Sequence, residues 1–259
     1  MRLSTTALLA ACLTLATAAP AVAQTAAPSP LTQLPPEPQE DAVLQAAVDS
    51  PSRSAEAKAR DAFRHPYESL TFWGLRPGLT VVEIAPGQGG WWRAILEHYA
   101  EATGGRYVPV NNPGEGMEVQ DGTADLILTA RSIHGWVNAN QVDANFQAFF
   151  KALKPGGYLA VEQHRAVEGL NAAETAGQGY VPESYVIQAA QRAGFRLDAR
   201  SELNANPADD HDHPFGVWTL KPTRQSRDNS GRELTAEERA TFDAVGESDR
   251  MTLRFIKPE

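Results

Sequence analysis

Four of the six histidines sit where their chemistry can be used. His134 lies in Arg131-Ser132-Ile133-His134-Gly135-Trp136 and His164 in Glu162-Gln163-His164-Arg165, and each cluster follows an apolar run. A histidine in such a place acts as a base or as a hydrogen-bond donor near neutral pH. Tyr180 ends a glycine-bearing segment at residues 177–180 and is the third candidate to hang over a site. His211 and His213 alternate with Asp209, Asp210 and Asp212, a set of nitrogen and oxygen ligands that zinc or manganese accepts. Neighbouring ligands on one loop lack a distant, well-spaced partner, so the expectation here is a solvated polar loop and no resident metal.

Residues 80–96, TVVEIAPGQGGWWRAIL, are the stretch that must position these groups. Val81, Val82 and Ile84 suit a strand buried on both faces, and Pro86, Gly87, Gly89 and Gly90 break it into a tight turn. Trp92, Ile95, Leu96 and Tyr99 then recur at helical spacing. A strand, a glycine turn and a helix make a ligand site, because glycine lets backbone approach a ligand and the helix start offers free N–H groups. No Lys-Ser/Thr follows, which excludes a phosphate-binding P-loop.

The remaining chain alternates in the same way. Helices are expected at residues 42–48, 54–64 and 67–73, a strand at 104–110, and another at 124–129. Val142, Phe146, Phe149, Phe150 and Leu153 mark an amphipathic helix, and residues 157–161 a further strand. A helix starts at Pro182-Glu183 and ends at Gly194, with strands at 195–201 and 251–256. The charged segment at residues 60–64 either faces the site or is a solvated helical face. Open α/β sheets bind ligands at the carboxyl ends of their strands, where His134, Trp136 and His164 fall.

Glu83-x-Ala85-x-Gly87-x-Gly89 resembles motif I of the class I S-adenosylmethionine-dependent methyltransferases, with alanine in the first glycine slot. Leu153-Lys154-Pro155-Gly156-Gly157 resembles the L-K-P-G-G turn before their fifth strand. The segments PGQGGWW, Glu162-Gln163-His164-Arg165-Ala166, Asn204-Ala205-Asn206-Pro207 and Gly246-Glu247-Ser248-Asp249-Arg250-Met251 extend the likeness to an exported group of predicted methyltransferases. The resemblance implies a doubly wound, seven-stranded, mostly parallel Rossmann-like sheet whose last strand is antiparallel. Residues 202–249 are then a long insertion before that strand, able to fold over the ligand pocket through residues 247–250.

The resemblance also implies S-adenosylmethionine as cofactor, held by Glu83, Ala85, Pro86, Gly87, Gly89, Asn111 and Arg131. Asn111 stands where the family carries an acid for the ribose hydroxyls, with Glu115 or Glu118 as substitutes; asparagine accepts through its carbonyl but lacks the charge. His134, His164 or Tyr180 would position the methyl acceptor, and His164 is expected beside the His134 loop. No Asn/Asp-Pro-Pro-Tyr/Phe motif follows the fourth strand, which argues against amino-methylation of DNA bases. Two other classes stay open: an adenosyl-binding sensor module without turnover, and a metal-assisted hydrolase or lyase using His134, His164, His211 and His213.

Length and charge bound the rest. A chain of 259 residues has room for one α/β domain with attachments. Residues 1–23 read as a signal peptide, with Arg2, an apolar stretch at 7–19 and Ala21-Val22-Ala23 before the cleavage point; residues 24–41 read as a proline-rich tether, leaving 42–259 as the domain. A periplasmic or secreted protein is expected. The apolar stretch is too short for a membrane span, so no stable membrane insertion is expected. Cys12, the single cysteine, falls inside that stretch, so the mature chain has no disulfide. A net charge of −9 disfavours nucleic acid and anionic membrane, leaving a small-molecule substrate as the expected partner.

Overall fold

A computed structural model describes residues 40–259, so the expected signal peptide and residues 24–39 of the expected tether lie outside the described residues. Four short helices lead in: α1 (Ala42–Val48), α2 (Ala55–Lys58), α3 (Asp61–Arg64) and α4 (Pro66–Phe72). The alternating region follows as β1 (Thr80–Ile84), α5 (Arg93–Thr103), β2 (Arg106–Val110), β3 (Ala124–Ala130), α6 (Ile133–Asn138), α7 (Val142–Ala152) and β4 (Leu153–Ala166). Then come α8 (Ala172–Thr175), β5 (Val181–Pro182), α9 (Glu183–Ala193), β6 (Arg196–Ser201), β7 (Pro214–Val217), α10 (Ala236–Val245) and β8 (Arg250–Ile256).

The sheet has seven strands in the order β2-β1-β3-β4-β8-β6, with β5 paired to the end of β4. Strands β2, β1, β3 and β4 run parallel, and β8 is antiparallel to both β4 and β6. This is the doubly wound, mostly parallel sheet expected from the sequence. Its seventh member is the two-residue β5, while residues 111–123 form turns and bends with no strand assigned among them.

Alternation along each strand splits the core into two layers. Val82, Ile84, Ile127, Leu159 and Val161 face one way, onto Val142, Phe146 and Phe149 of α7 and Val186 of α9. Val81, Leu126, Leu128 and Ala160 face the other, onto Leu44 of α1, Leu70 of α4 and Trp92, Ile95, Leu96 and Tyr99. The chain leaves β1 toward β2 on one side and reaches β3 on the other. A crevice therefore opens between the carboxyl ends of β1 and β3, the switch point at which open α/β sheets bind ligands.

Two local readings change. The helix expected over residues 54–64 is broken into α2, capped by the Ser54 hydroxyl at 3.1 Å from the Ala57 N–H, and α3, with Arg60 at the joint. Arg60 and Arg64 both reach the Glu247 carboxylate, and the break lets them meet it from one side. The L-K-P-G-G segment is part of β4: Leu153 pairs with Ala124, the register shifts, and Tyr158 pairs with Leu126. Lys154 secures this irregularity with an ion pair to Asp125 at 2.5 Å.

Candidate ligand cavity at the glycine turn

A cavity of about 690 Å³ lies at the switch point, within the size range of small-molecule sites. Pro86, Gly87, Gly89 and Gly90 form one wall, Arg131, His134 and His164 another, and Arg60, Arg64 and Trp91 a third. Val217, Trp218, Lys221 and residues 247–248 close it from the insertion side. A Cβ built on Gly87 or Gly89 meets no atom within 4 Å, so both present bare backbone to open space. Gly87 needs its φ of +68°, and Ala85 holds φ +49° although it carries a side chain. The first glycine slot of the motif therefore still demands a left-handed residue, and the Ala85 N–H is tied to the Val110 carbonyl at 2.7 Å.

His134 and His164 come together as expected, with ring centroids 6.1 Å apart. Gln163 fixes the first of them. Its Oε1 accepts from the Ile133 N–H at 3.1 Å and its Nε2 donates to the Gly179 carbonyl at 3.0 Å. The remaining Nε2 proton faces His134 Nδ1 at 3.4 Å, so this network assigns Nδ1 as acceptor and leaves the proton of neutral His134 on Nε2. His164 Nδ1 shares a 2.6 Å hydrogen bond with the Ser248 hydroxyl. Burial, with the nearby Arg131, lowers the pKa of His134. Burial, then Arg250 and Arg131, hold His164 well below the usual histidine range. Both rings are therefore neutral at pH 7.

Beneath these rings lies a network of buried charge. Glu247 accepts from Arg60 Nε at 2.7 Å, Arg64 Nε at 2.8 Å and Arg250 Nη1 at 2.7 Å. Burial pushes this carboxylate up, but Arg250, Arg64 and Arg60 together overcome it and hold the pKa at about 2. Glu162 is fully buried; it accepts from Trp92 Nε1 at 3.2 Å and sits 3.2 Å from Arg250 Nε and 3.5 Å from Arg131 Nη1. Trp92 thus ties the helix after the glycine turn to the carboxyl end of β4.

Several expected site residues are elsewhere. Glu83 does not line the cavity: it is buried under β2, accepts the Tyr107 hydroxyl at 2.7 Å, and burial raises its pKa to about 7. Asn111 is exposed and lines a separate cavity off β2 with Asn112, Glu115 and Glu118, so the expected ribose acceptor and its substitutes are absent from the glycine-turn cavity. Tyr180 is buried, and its hydroxyl bonds the Asp209 carboxylate at 3.1 Å rather than lining the cavity wall.

The Asp-His loop is not the solvated loop expected. Asp209 and His213 are buried, and Asp209 receives the Tyr180 hydroxyl, a His213 Nε2 contact at 2.8 Å, and the N–H groups of His211 and Asp249. Those bonds fasten the insertion onto the start of β8. Asn206 adds to the joint by donating to the Val245 and Glu247 carbonyls. Asp209, Asp210 and His213 are the one group among the described residues close enough to share a metal ion, and His134 and His164 are not in it. The four-histidine metal centre therefore does not assemble.

No family model matches this sequence, and no curated protein does. Among solved structures, the chain is similar to one from the complex between the Haloferax volcanii Trm112 methyltransferase activator and the putative methyltransferase, at 14% identity and TM-score 0.47, covering 79% of this chain and 94% of that one. It is similar to a putative sarcosine dimethylglycine methyltransferase from Galdieria sulphuraria, at 12% identity and TM-score 0.47, covering 82% and 90%. A third is the Haemonchus contortus phosphoethanolamine N-methyltransferase 2 in complex with S-adenosyl-L-methionine, at 14% identity and TM-score 0.42, covering 76% of this chain and 53% of that one. At this distance the function rests on the cavity.

Arg60, Arg64, Arg250, Glu162 and Glu247 are the functional candidates that residue patterns undervalue. Their signal in the sequence is slight: charged residues within polar runs at the edges of α3, β4 and β8, where exposed charge is the common case. From sequence alone the Arg60 to Arg64 segment fits a solvated helical face equally well.

Proposed function

We propose that this protein is an exported class I S-adenosylmethionine-dependent methyltransferase acting on a small molecule or an envelope substrate. The observation that carries the reading is the bare backbone at Gly87 and Gly89, opening into a cavity that two neutral histidines share. That cradle fits the methionyl end of an adenosyl compound, with Pro86, Gly87, Gly89 and Arg131 as the residues that would hold it. When bound, the cofactor supplies an activated methyl group. Such transfer needs alignment above all, and a base only if the acceptor carries a proton. His134 offers its Nε2–H as a donor that orients an acceptor oxygen or carboxylate. His164, neutral and steadied by Ser248, is the group able to take a proton.

Export rests on the N-terminal pattern of residues 1–23 alone. A non-catalytic adenosyl-binding module is the second reading, favoured by the placement of Asn111 outside the cavity. Calorimetric titration of the full chain with S-adenosylmethionine tests the shared premise. Saturable binding is expected, and its absence at millimolar concentration ends both readings. Retention of bound cofactor without methyl transfer to any anionic acceptor would select the second.

A further inference from the structure

The charges around the cavity do not balance. Arg60, Arg64, Arg131 and Arg250 converge on two carboxylates, Glu162 and Glu247, leaving an excess of two positive charges. Glu83 interacts with Arg131, but its pKa of about 7 leaves it partly protonated, so it offsets only part of the excess. Lys221 and Glu56 both line the cavity and cancel in formal charge, and Arg53 is taken by Asp61. An unbalanced buried charge is costly, and a chain keeps one where a ligand completes it.

The hydrogen bonds lean the same way: Arg64 Nη1, Arg131 Nη1 and Arg250 Nε are unpartnered against a single acceptor, Glu162 Oε1, which faces Arg250 Nε at 3.2 Å. Arg64 is 1% exposed, lines the cavity, and its Nη1 has no partner among the described residues. Arg131, with φ +59°, also lines the cavity; its Nη1 lies 3.5 Å from Glu162 Oε2 and makes no hydrogen bond among the described residues. Burial above all, with Arg131 and Arg250 adding to it against Glu162 and Glu247, lowers the Arg64 pKa to about 9. Trp91 stacks on Arg64 at 4.8 Å and holds its plane in place.

We infer that Arg64 and Arg131, backed by Arg60, form a binding site for a doubly charged oxyanion, and that the methyl acceptor carries this group as a phosphate monoester or paired carboxylates. Two guanidinium forks match such oxygens with charge-assisted bonds. The anion site itself stands on the arginines; its assignment to the acceptor rests on the proposed methyl transfer. A second source of negative charge is the α-carboxylate of the adenosyl compound. That compound also brings an ammonium and, in the methylated form, a sulfonium, so it adds positive charge to a cavity already in excess. The balance favours the acceptor.

Inorganic phosphate, titrated into the full chain by calorimetry at fixed ionic strength, is the probe. Saturable binding is expected, weakened roughly tenfold or more in Arg131→Gln and in Arg64→Gln, the scale of one lost charge-assisted bond. Arg131→Gln keeps the test open if Arg64→Gln does not fold, since Arg131 is the less buried of the two. Phosphate affinity unchanged by saturating S-adenosylhomocysteine supports an acceptor site. Displacement of phosphate by S-adenosylhomocysteine but not by methylthioadenosine, which lacks the amino acid, would assign the arginines to the cofactor and overturn the proposal. So would the absence of saturable phosphate binding, or wild-type phosphate affinity in both variants. Phosphate binding with no affinity for any adenosyl compound would keep the anion site and remove the methyltransferase reading instead.

Discussion

At the scale of single residues, Gly89 separates a ligand role from a folding role. Its φ lies outside the left-handed region and a Cβ there meets nothing, whereas Gly87 would also suffer backbone strain. Gly89→Val should therefore leave thermal stability within about 0.5 kcal/mol while projecting two methyl groups into the cavity. Calorimetry should show adenosyl affinity falling about tenfold or more; unchanged affinity would remove the glycine turn from the site. Glu83 makes a second prediction. Its folded pKa of about 7 lies above the ordinary value of 4.5, so the folded state holds the extra proton and stability falls as pH rises from 4.5 through about 7. The loss is about 3 kcal/mol at most. Glu83→Gln, still able to accept from Tyr107, should flatten that slope and be the more stable protein at about pH 8 when urea unfolding is compared with about pH 5. The motif I acid was legible from sequence by position, but its role was not, because the burial that keeps it off the cavity is set by β2 and Tyr107.

At the scale of elements, one of the points that fasten the insertion is a close contact of backbone with ring. Gly246 has φ +90°, and a Cβ there would come within 2.5 Å of Phe63 Cε1. Gly246 stands between α10 and β8, so its contact with α3 sets how Glu247 and Ser248 enter the cavity. Gly246→Ala should destabilise the fold by about 2 kcal/mol through strain and overlap, lowering the urea midpoint and weakening phosphate and adenosyl binding together. A variant with wild-type stability and binding would show that this junction is not what positions residues 247–248. Element types were largely readable: β1, α5, α7, α9 and β8 follow from periodicity and turn residues. The break between α2 and α3 was not, because it exists to let Arg60 and Arg64 reach a carboxylate more than 180 positions away.

Across the whole molecule, Glu247 is the acidic hub joining the entry helices, the cavity and the last strand. Its folded pKa of about 2 lies below 4.5, so it contributes stability present above the unfolded value and lost as pH falls from 4.5 through about 2. Glu247→Gln leaves Arg60, Arg64 and Arg250 facing a neutral amide and should cost about 3 to 5 kcal/mol at neutral pH, with a shallower acid limb in circular dichroism melts from about pH 5 downward. An unaltered acid limb would place the pH sensitivity elsewhere. The sequence by itself determined the alternating strand and helix order, the glycine turn and the placing of His134 and His164 at strand ends, because apolar periodicity and turn chemistry act between residues close along the chain. Only the tertiary structure decided that Asn111 and Tyr180 stand outside the cavity, that the Asp-His loop is buried, and that four arginines share two glutamates. Those outcomes depend on sheet order and on side chains brought together from distant segments, and no local pattern records a Coulomb balance struck across the fold.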